Sequence, residues 1–127
     1  MPPVATKAPQ RALRILVVDD NLDQVHSLAY LLKDDGHRVD FAINATAALD
    51  LARRARPEVV LLDIGLPDAN GLDVPALIRR IPDLQKVRII AVTGRQIGEQ
   101  EIRTAGFDGL LRKPVDYGEL QSALSDS

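Results

Sequence analysis

Two hydrophobic patterns alternate along this chain, and their alternation constrains the fold more than any other feature. From Leu13 onward, short apolar runs are separated by segments in which apolar residues recur with the period of a helix. Three of the runs are almost continuously apolar, which is typical of parallel strands covered on both faces. The predicted strands are residues 15–18, 38–43, 59–62, 87–92 and 109–111. Five strands alternating with five helices predict an open α/β sheet with right-handed crossovers.

The predicted helices carry signals for their beginnings and ends. Gly36 terminates the first helix, and Asn44 is a favourable N-cap for the second. Pro75 falls in the first turn of the third helix, where proline is tolerated. Asp116 begins the last helix, with Glu119 at capping-box spacing. The predicted inner faces are Leu22, Val25, Leu28, Ala29 and Leu32 in the first helix, and Val74, Leu77, Ile78 and Ile81 in the third.

The fourth helix has the weakest pattern. Between Gly94 and Gly106 only Ile97, Ile102 and Ala105 can pack against a core, and a further glycine interrupts the segment. Because an amphipathic face supplies most of a helix's stability in a protein, we expect this helix to be short and mobile.

Length and composition indicate one domain. The chain has 127 residues, of which 46% are hydrophobic and 27% charged, which is ordinary for a soluble globular protein. We predict a flexible N-terminal tail over residues 1–12, the domain over 13–124 and a C-terminal tail over 125–127. No apolar run approaches the length of a membrane span, so we expect no membrane association and a cytoplasmic location.

Several function classes are excluded or disfavoured. With no cysteine, a disulfide framework, a thiolate zinc site and a cysteine nucleophile are impossible. A net charge of −2 and only two tyrosines and two phenylalanines argue against nucleic-acid binding. The dinucleotide fingerprint, the P-loop and the hydrolase nucleophile elbow are all absent. His26 and His37 lie far from any second metal-ligating residue in the sequence.

Polar residues follow four of the five predicted strands. Ligands bind at the carboxyl ends of the strands in open α/β sheets, so these residues are the candidates for a functional site. Three carboxylates about 4 Å apart would repel by up to about 4 kcal/mol per pair at an effective dielectric of 20, and they require a counter-charge. Oxygen ligands without cysteine suit Mg²⁺. The candidates are Asp19, Asp20, Asp63, Thr93, Gly94, Lys113 and Pro114.

Each candidate also has a purely structural interpretation. Asp19 and Asp20 could be turn and cap residues, and Asp63 could form an Asx turn. Thr93 could cap the fourth helix, and Lys113 could be a solvated charge. It is their joint position at one sheet edge that favours a functional site.

Four segments of the chain form a recognisable set of motifs. They are Ile15-Leu-Val-Val-Asp-Asp20, Val60-Leu-Leu-Asp63-Ile-Gly-Leu-Pro67-Asp-Ala-Asn-Gly71, Ala91-Val-Thr93-Gly94 and Gly106-Phe-Asp-Gly-Leu-Leu-Arg-Lys113-Pro114. These motifs resemble the receiver domain of two-component response regulators, of the chemotaxis-regulator type. The resemblance extends over about residues 13–124 and implies a (βα)5 flavodoxin-like three-layer sandwich with sheet order 2-1-3-4-5. It implies a phosphoacceptor signalling domain rather than an enzyme acting on a separate substrate.

The resemblance assigns a metal site and a phosphoryl acceptor. Asp63 corresponds to the aspartate that receives a phosphoryl group from a phosphohistidine. Asp20, Asp63 and the backbone carbonyl of Gly65 correspond to ligands of Mg²⁺, with Asp19 acting through a water molecule. The implied donor is a sensor histidine kinase or a histidine phosphotransfer protein.

The remaining site residues are implied in the same way. Lys113 would pair with Asp63 and then with the phosphoryl oxygens, Thr93 would donate its hydroxyl, and Gly94 would leave room for the group. Pro114 would follow a cis peptide bond. Many receivers carry a Tyr or Phe three positions before the lysine that moves with the threonine, whereas this chain has Leu110.

The implied output is a change in the surface formed by the fourth helix, the fifth strand and the fifth helix. The sequence identifies no downstream target, and a phosphorylation-dependent homodimer stays open. One alternative is a pseudo-receiver that binds proteins without being phosphorylated, which Leu110 favours and the intact acidic, Thr and Lys set disfavours. A second alternative, an aspartyl phosphatase, is disfavoured because Gly65 stands where such enzymes usually carry a second acid.

Overall fold

The computed structural model of the chain describes residues 11–125. Residues 1–10 and 126–127, which hold most of the two predicted tails, lie outside the described residues. The predicted alternation of strands and helices is confirmed. In chain order the elements are β1 (Arg14–Val18), α1 (Leu22–Asp34), β2 (Arg38–Ala42), α2 (Ala45–Ala55), β3 (Val59–Leu62), α3 (Val74–Arg79), β4 (Arg88–Thr93), α4 (Glu99–Thr104), β5 (Gly109–Arg112) and α5 (Tyr117–Ser125), with a short 3₁₀ turn at Gly71–Asp73.

The five strands form one parallel sheet in the order β2-β1-β3-β4-β5, as the resemblance implied. β1 and β3 are direct neighbours, with Val18 opposite Leu62. β4 pairs with the other side of β3, and β5 pairs in turn with β4. Thr93 of β4 lies opposite Arg112 of β5. The residues that follow β1, β3, β4 and β5 therefore meet at one edge of the sheet.

Two hydrophobic clusters lie on opposite faces of the sheet and make it the middle layer of three. Successive residues of a strand point to opposite faces, so β1 contributes Leu16 and Val18 to one cluster and Ile15 and Val17 to the other. The first cluster packs against α2, α3 and α4, and the second packs against α1 and α5. Because both faces are covered, β3 is buried at every position, which explains its unbroken apolar run.

The predicted caps form where the sequence placed them. The side chain of Asn44 accepts a hydrogen bond from Ala47 N at the start of α2. Asp116 Oδ2 accepts one from Glu119 N at 2.9 Å at the start of α5. α4 has only six residues, as the weak pattern predicted, and no side chain caps its N-terminus.

The inner face of α3 differs from the prediction. The helix ends at Arg79, so Ile81 is buried just beyond it rather than within it. Pro75 is buried, whereas Leu77 is 38% exposed. The buried residues of the helix are Val74, Pro75 and Ile78, so its inner face is centred on these three. In α1, similarly, Leu22 lies in the first turn and is 49% exposed.

Ser125 is the last residue of α5. Within the described residues, no helix is long and apolar enough to cross a membrane.

Candidate functional site

The carboxyl ends of β1 and β3 bring three aspartates together. One carboxylate oxygen from each of Asp19, Asp20 and Asp63 lies within 4.8 Å of the others. Asp19 and Asp63 are buried, with 5% and 8% of their surfaces exposed, while Asp20 is exposed. A cluster of three acidic oxygens at a partly open sheet edge is a donor set suited to a hard divalent cation.

Lys113, which follows β5, supplies the counter-charge. Its Nζ donates hydrogen bonds to Asp19 Oδ2 at 2.8 Å and to Asp63 Oδ2 at 3.3 Å. Burial alone would lower the pKa of this ammonium, but the hydrogen bonds and negative charges of the two aspartates outweigh it and raise the pKa above its usual value. Lys113 is therefore a charged member of the site, and its interpretation as a solvated surface charge is wrong.

In each of the two buried aspartates, one carboxylate oxygen accepts a hydrogen bond from the backbone and the other accepts one from Lys113. Asp63 Oδ1 accepts from Gly65 N at 3.1 Å, and Asp19 Oδ1 accepts from Asn21 N at 2.9 Å. These are the turns that the structural interpretation predicted for both residues. The turns coexist with the site, because each leaves the Oδ2 atom facing the ammonium of Lys113.

Thr93 and Gly94 lie beside the acidic cluster, at the end of β4. Thr93 is fully buried, and its Oγ1 accepts a hydrogen bond from Arg95 N at 3.0 Å. This bond belongs to the loop and not to α4, which begins at Glu99, so the interpretation of Thr93 as a helix cap is wrong. A Cβ atom placed on Gly94 would lie 3.8 Å from Cβ of Lys113, which shows how closely the two strand ends approach.

The backbone ties Lys113 to the same place. Lys113 N donates to Thr93 O at 3.0 Å, which continues the β4–β5 ladder past the last strand residue. The peptide bond between Lys113 and Pro114 is cis.

Leu110 lies away from the acidic cluster. It is half-buried and packs against the hydrophobic cluster to which α2, α3 and α4 contribute. The crevice that it lines with Ile102 holds only about 20 Å³.

Two arginines lie near the site. The guanidinium of Arg95 covers Gly65, since a Cβ atom there would lie 3.7 Å from Nε of Arg95. Arg112 donates to two carbonyl groups of the loop between β4 and α4. The sequence offered little to single out Arg112, because one arginine beside Lys113 resembles any basic residue at a strand end.

Comparison with known proteins identifies the class that this fold and site define. Residues 15–125 match the family described as the response regulator receiver domain. The chain therefore belongs to the receiver domain family of two-component signalling, and its domain is a signalling domain.

Two curated relatives differ in how much of their length is matched. The chain is 32% identical over 103 residues to the polar-differentiation response regulator DivK of Brucella anthropi, covering 80% of this chain and 84% of DivK. It is 37% identical over 129 aligned positions to the sensor histidine kinase AruS of Pseudomonas aeruginosa, covering 98% of this chain but 13% of that kinase. Similar receivers thus occur both as nearly whole proteins and as small parts of long ones.

Two solved structures share the fold. The receiver domain of the sensor histidine kinase PA1611 from Pseudomonas aeruginosa, with a magnesium ion in its active-site cleft, has a TM-score of 0.80 and 31% identity, covering 90% of this chain and 95% of that one. A response regulator from Burkholderia pseudomallei, with a phosphorylated aspartic acid, a calcium ion and citrate, has a TM-score of 0.78 and 29% identity, covering 87% of this chain and 65% of that one.

Proposed function

We propose that this chain is a Mg²⁺-dependent phosphoacceptor whose state is set by phosphorylation of Asp63. The observation that carries the proposal is the surroundings of Asp63. Its carboxylate is buried, hydrogen-bonded to Lys113, and within 4.8 Å of the carboxylate oxygens of Asp19 and Asp20. A nucleophilic carboxylate, a cation and an acidic metal site are the three parts that acyl phosphate formation requires.

The residues present fit a magnesium ion. Asp20 and Asp63 would bind it directly, the backbone carbonyl of Gly65 would add a neutral oxygen, and Asp19 would act through a water molecule. All are oxygen ligands, which Mg²⁺ prefers. When bound, the ion would offset the repulsion among the carboxylates and the charge of the phosphoryl oxygens. The magnesium-bound cleft of the PA1611 receiver supports this assignment.

The chemical step is an in-line displacement at phosphorus. An oxygen of the Asp63 carboxylate attacks the phosphoryl group of a phosphohistidine on the donor protein. The phosphorus–nitrogen bond breaks, its electron pair stays on the imidazole, and Asp63 becomes an acyl phosphate. Lys113 then turns from the carboxylate to a phosphoryl oxygen, Thr93 donates its hydroxyl to another, and Gly94 leaves space for the group. The phosphorylated aspartic acid of the Burkholderia pseudomallei regulator supports this role for Asp63.

Phosphorylation would change the surface formed by α4, β5 and α5. Thr93 is linked to the loop before α4 by its hydrogen bond from Arg95 N. α4 has six residues and no side-chain cap, so it is the helix that a small displacement can most easily shift. Equal hydrogen exchange in residues 94–112 with and without phosphorylation would contradict this switching model.

The proposed partners follow from the same chemistry. The phosphoryl donor is a sensor histidine kinase or a histidine phosphotransfer protein, and the changed surface contacts a downstream protein or a second copy of this chain. The match to part of AruS supports a connection with histidine kinases. We propose residues 13–124 as the functional domain and the cytoplasm as its location.

The first experiment is intact-mass spectrometry after incubation with Mg²⁺ and acetyl phosphate. We expect a single added phosphoryl group on the native chain, lost when Mg²⁺ is chelated and absent from Asp63→Asn. Asp50→Asn, an exposed aspartate on α2, is the matched control and should be phosphorylated like the native chain. Phosphorylation of Asp63→Asn to the native extent would place the acceptor elsewhere.

Leu110 supports a second candidate, a pseudo-receiver that binds partners without being phosphorylated. It occupies the position where many receivers carry the aromatic residue of the switch. A native chain that accepts no phosphoryl from acetyl phosphate or from a panel of phosphorylated histidine phosphotransfer proteins would favour this candidate.

A further inference from the structure

The guanidinium of Arg112 binds the loop between β4 and α4 through both of its terminal nitrogens. Its Nη1 donates to the carbonyl of Arg95 at 2.6 Å, and its Nη2 donates to the carbonyl of Ile97 at 2.6 Å. Arg112 is the last residue of β5 and lies opposite Thr93 in the β4–β5 register. Within residues 11–125 it forms no ion pair, so its positive charge is directed at these two carbonyls.

The loop has few other attachments. In the part of the chain that the structure describes, residues 94–97 form only one further hydrogen bond, from Arg95 N to Thr93 Oγ1. The helix that follows is short and begins without a side-chain cap at Gly98. Ile97 also packs against the hydrophobic core. The polar contacts that hold this loop, and with it the start of α4, are therefore those to Arg112 at one side and to Thr93 at the other.

Arg95 connects these two sides through its backbone. Its N–H donates to Thr93 Oγ1 at 3.0 Å, while its carbonyl accepts from Arg112. A displacement of the Thr93 hydroxyl moves the N–H of Arg95, and the carbonyl of the same residue then shifts against the guanidinium of Arg112. The path consists of hydrogen bonds and needs no aromatic side chain.

Leu110 offers no comparable hydrogen-bonded path from Thr93 to the loop. Its side chain is apolar, and the crevice between it and Ile102 holds about 20 Å³, room for about one water molecule. This crevice is too small to receive a side chain that swings inward.

We propose that Arg112 is a positioning residue that transmits the state of Thr93 to the loop at residues 94–98 and to α4. It would take over the coupling that many receivers assign to the aromatic residue at the Leu110 position. This inference rests on the proposed phosphorylation of Asp63 and adds to it the residue that carries the change outward.

The test compares Arg112→Gln with Arg53→Gln. Arg53 is exposed on α2 and its side chain makes no hydrogen bond or ion pair within the described residues, so its replacement removes the same charge without touching the loop. Each protein is first treated with Mg²⁺ and acetyl phosphate and weighed by intact-mass spectrometry. Hydrogen exchange of residues 94–104 is then measured with and without the phosphoryl group.

We expect Arg112→Gln to accept the phosphoryl group but to lose the phosphorylation-dependent change in exchange. In the unphosphorylated state its loop should exchange about tenfold faster, because two charge-assisted hydrogen bonds are gone. Arg53→Gln should behave as the native chain. Arg112→Lys, whose compact ammonium cannot span both carbonyls, should retain part of the change.

Three results would overturn the inference, and they are distinguishable. If Arg112→Gln exchanges faster by the same factor in both states and keeps the native difference, Arg112 only stiffens the loop, and the proposed function stands. If the native chain is phosphorylated without any change in residues 94–104, there is no signal for Arg112 to transmit. If the native chain accepts no phosphoryl group, the proposed function fails and the inference fails with it.

Discussion

The ammonium of Lys113 lies 2.8 Å from Oδ2 of Asp19, although β3 and β4 separate the strands that the two residues follow. Its distance to Oδ2 of Asp63, the proposed acceptor, is longer at 3.3 Å. One cation therefore holds two buried carboxylates, and its stronger contact is with the residue that is not the acceptor. This arrangement leaves Asp63 the less tightly held of the two.

Replacing Lys113 with methionine should separate metal binding from phosphorylation. Without the ammonium, the three carboxylates lack their counter-charge and should bind Mg²⁺ more tightly. Phosphorylation by acetyl phosphate should slow by about a hundredfold, because a preorganised cation for the transferred group is lost. Mg²⁺ titration and intact-mass time courses measure the two effects. Lys86→Met, at an exposed lysine, is the control, and weaker Mg²⁺ binding by Lys113→Met would contradict the argument.

Mg²⁺ should raise the melting temperature of the native chain. A ligand that binds only the folded state adds about 2.7 kcal/mol at one hundred times its dissociation constant, which corresponds to about 10 °C in a domain of this size. Asp20→Ala should abolish the rise, because Asp20 is one of the three clustered carboxylates. Asp23→Ala, in the exposed first turn of α1, should retain it. A full rise in Asp20→Ala would remove that residue from the proposed metal site.

Asp68 should make stability depend on pH in the acidic range. Its carboxylate accepts hydrogen bonds from Ala45 N at 2.8 Å and from both Thr46 N and Oγ1, which joins the loop after Asp63 to the start of α2. The backbone hydrogen bond from Ala45, followed by that from Thr46, lowers the pKa of Asp68 below its ordinary value of 3.8. The folded state thus binds this proton less readily than the unfolded state does.

The stabilisation from Asp68 should therefore be complete above its unfolded pKa and disappear as the pH falls through the lower folded pKa. Denaturant unfolding between pH 7 and about pH 2 measures this, since Asp pKa values are near 3.9 in unfolded chains. Asp68→Asn should be less stable than the native chain at pH 7, and the difference should shrink on acidification. Asp40→Asn, at an exposed residue of β2, controls for net charge. A difference that stays constant across the range would refute the linkage.

Gly71 should tolerate no side chain. A Cβ atom there would clash with Cα of Ile64, the residue after Asp63, and the backbones of Gly71 and Ile64 are joined by a hydrogen bond of 3.0 Å. Gly71→Ala should lower the free energy of unfolding by about 2 kcal/mol or more, because the backbone of Ile64 must move. Gly98→Ala, where no atom lies within 4 Å of the added Cβ, is the matched control. Equal free energies of unfolding for the two variants would show that the loop accommodates the added methyl group without loss of stability.

The beginnings of α2 and α5 were predicted well because they depend on neighbouring residues. Asn44 and Asp116 cap the N–H groups of residues three positions further on, and that geometry is encoded within one turn. The inner face of α3 was predicted less well, because the burial of Pro75 in place of Leu77 depends on how the helix is turned against the sheet. Sequence periodicity does not contain that rotation.

The sequence by itself determined the alternation of strands and helices and the polar residues that end four of the strands, because both depend on local patterns of a few residues. The tertiary structure decided which of those residues meet. The bonds from Lys113 to Asp19 and Asp63 join residues 94 and 50 positions apart. The bonds from Arg112 join the end of β5 to the loop after β4 through carbonyl groups that every residue possesses. Such contacts follow from the order and register of the strands. They become visible only once the sheet is assembled, because no local pattern specifies which carbonyl or carboxylate a distant side chain will reach.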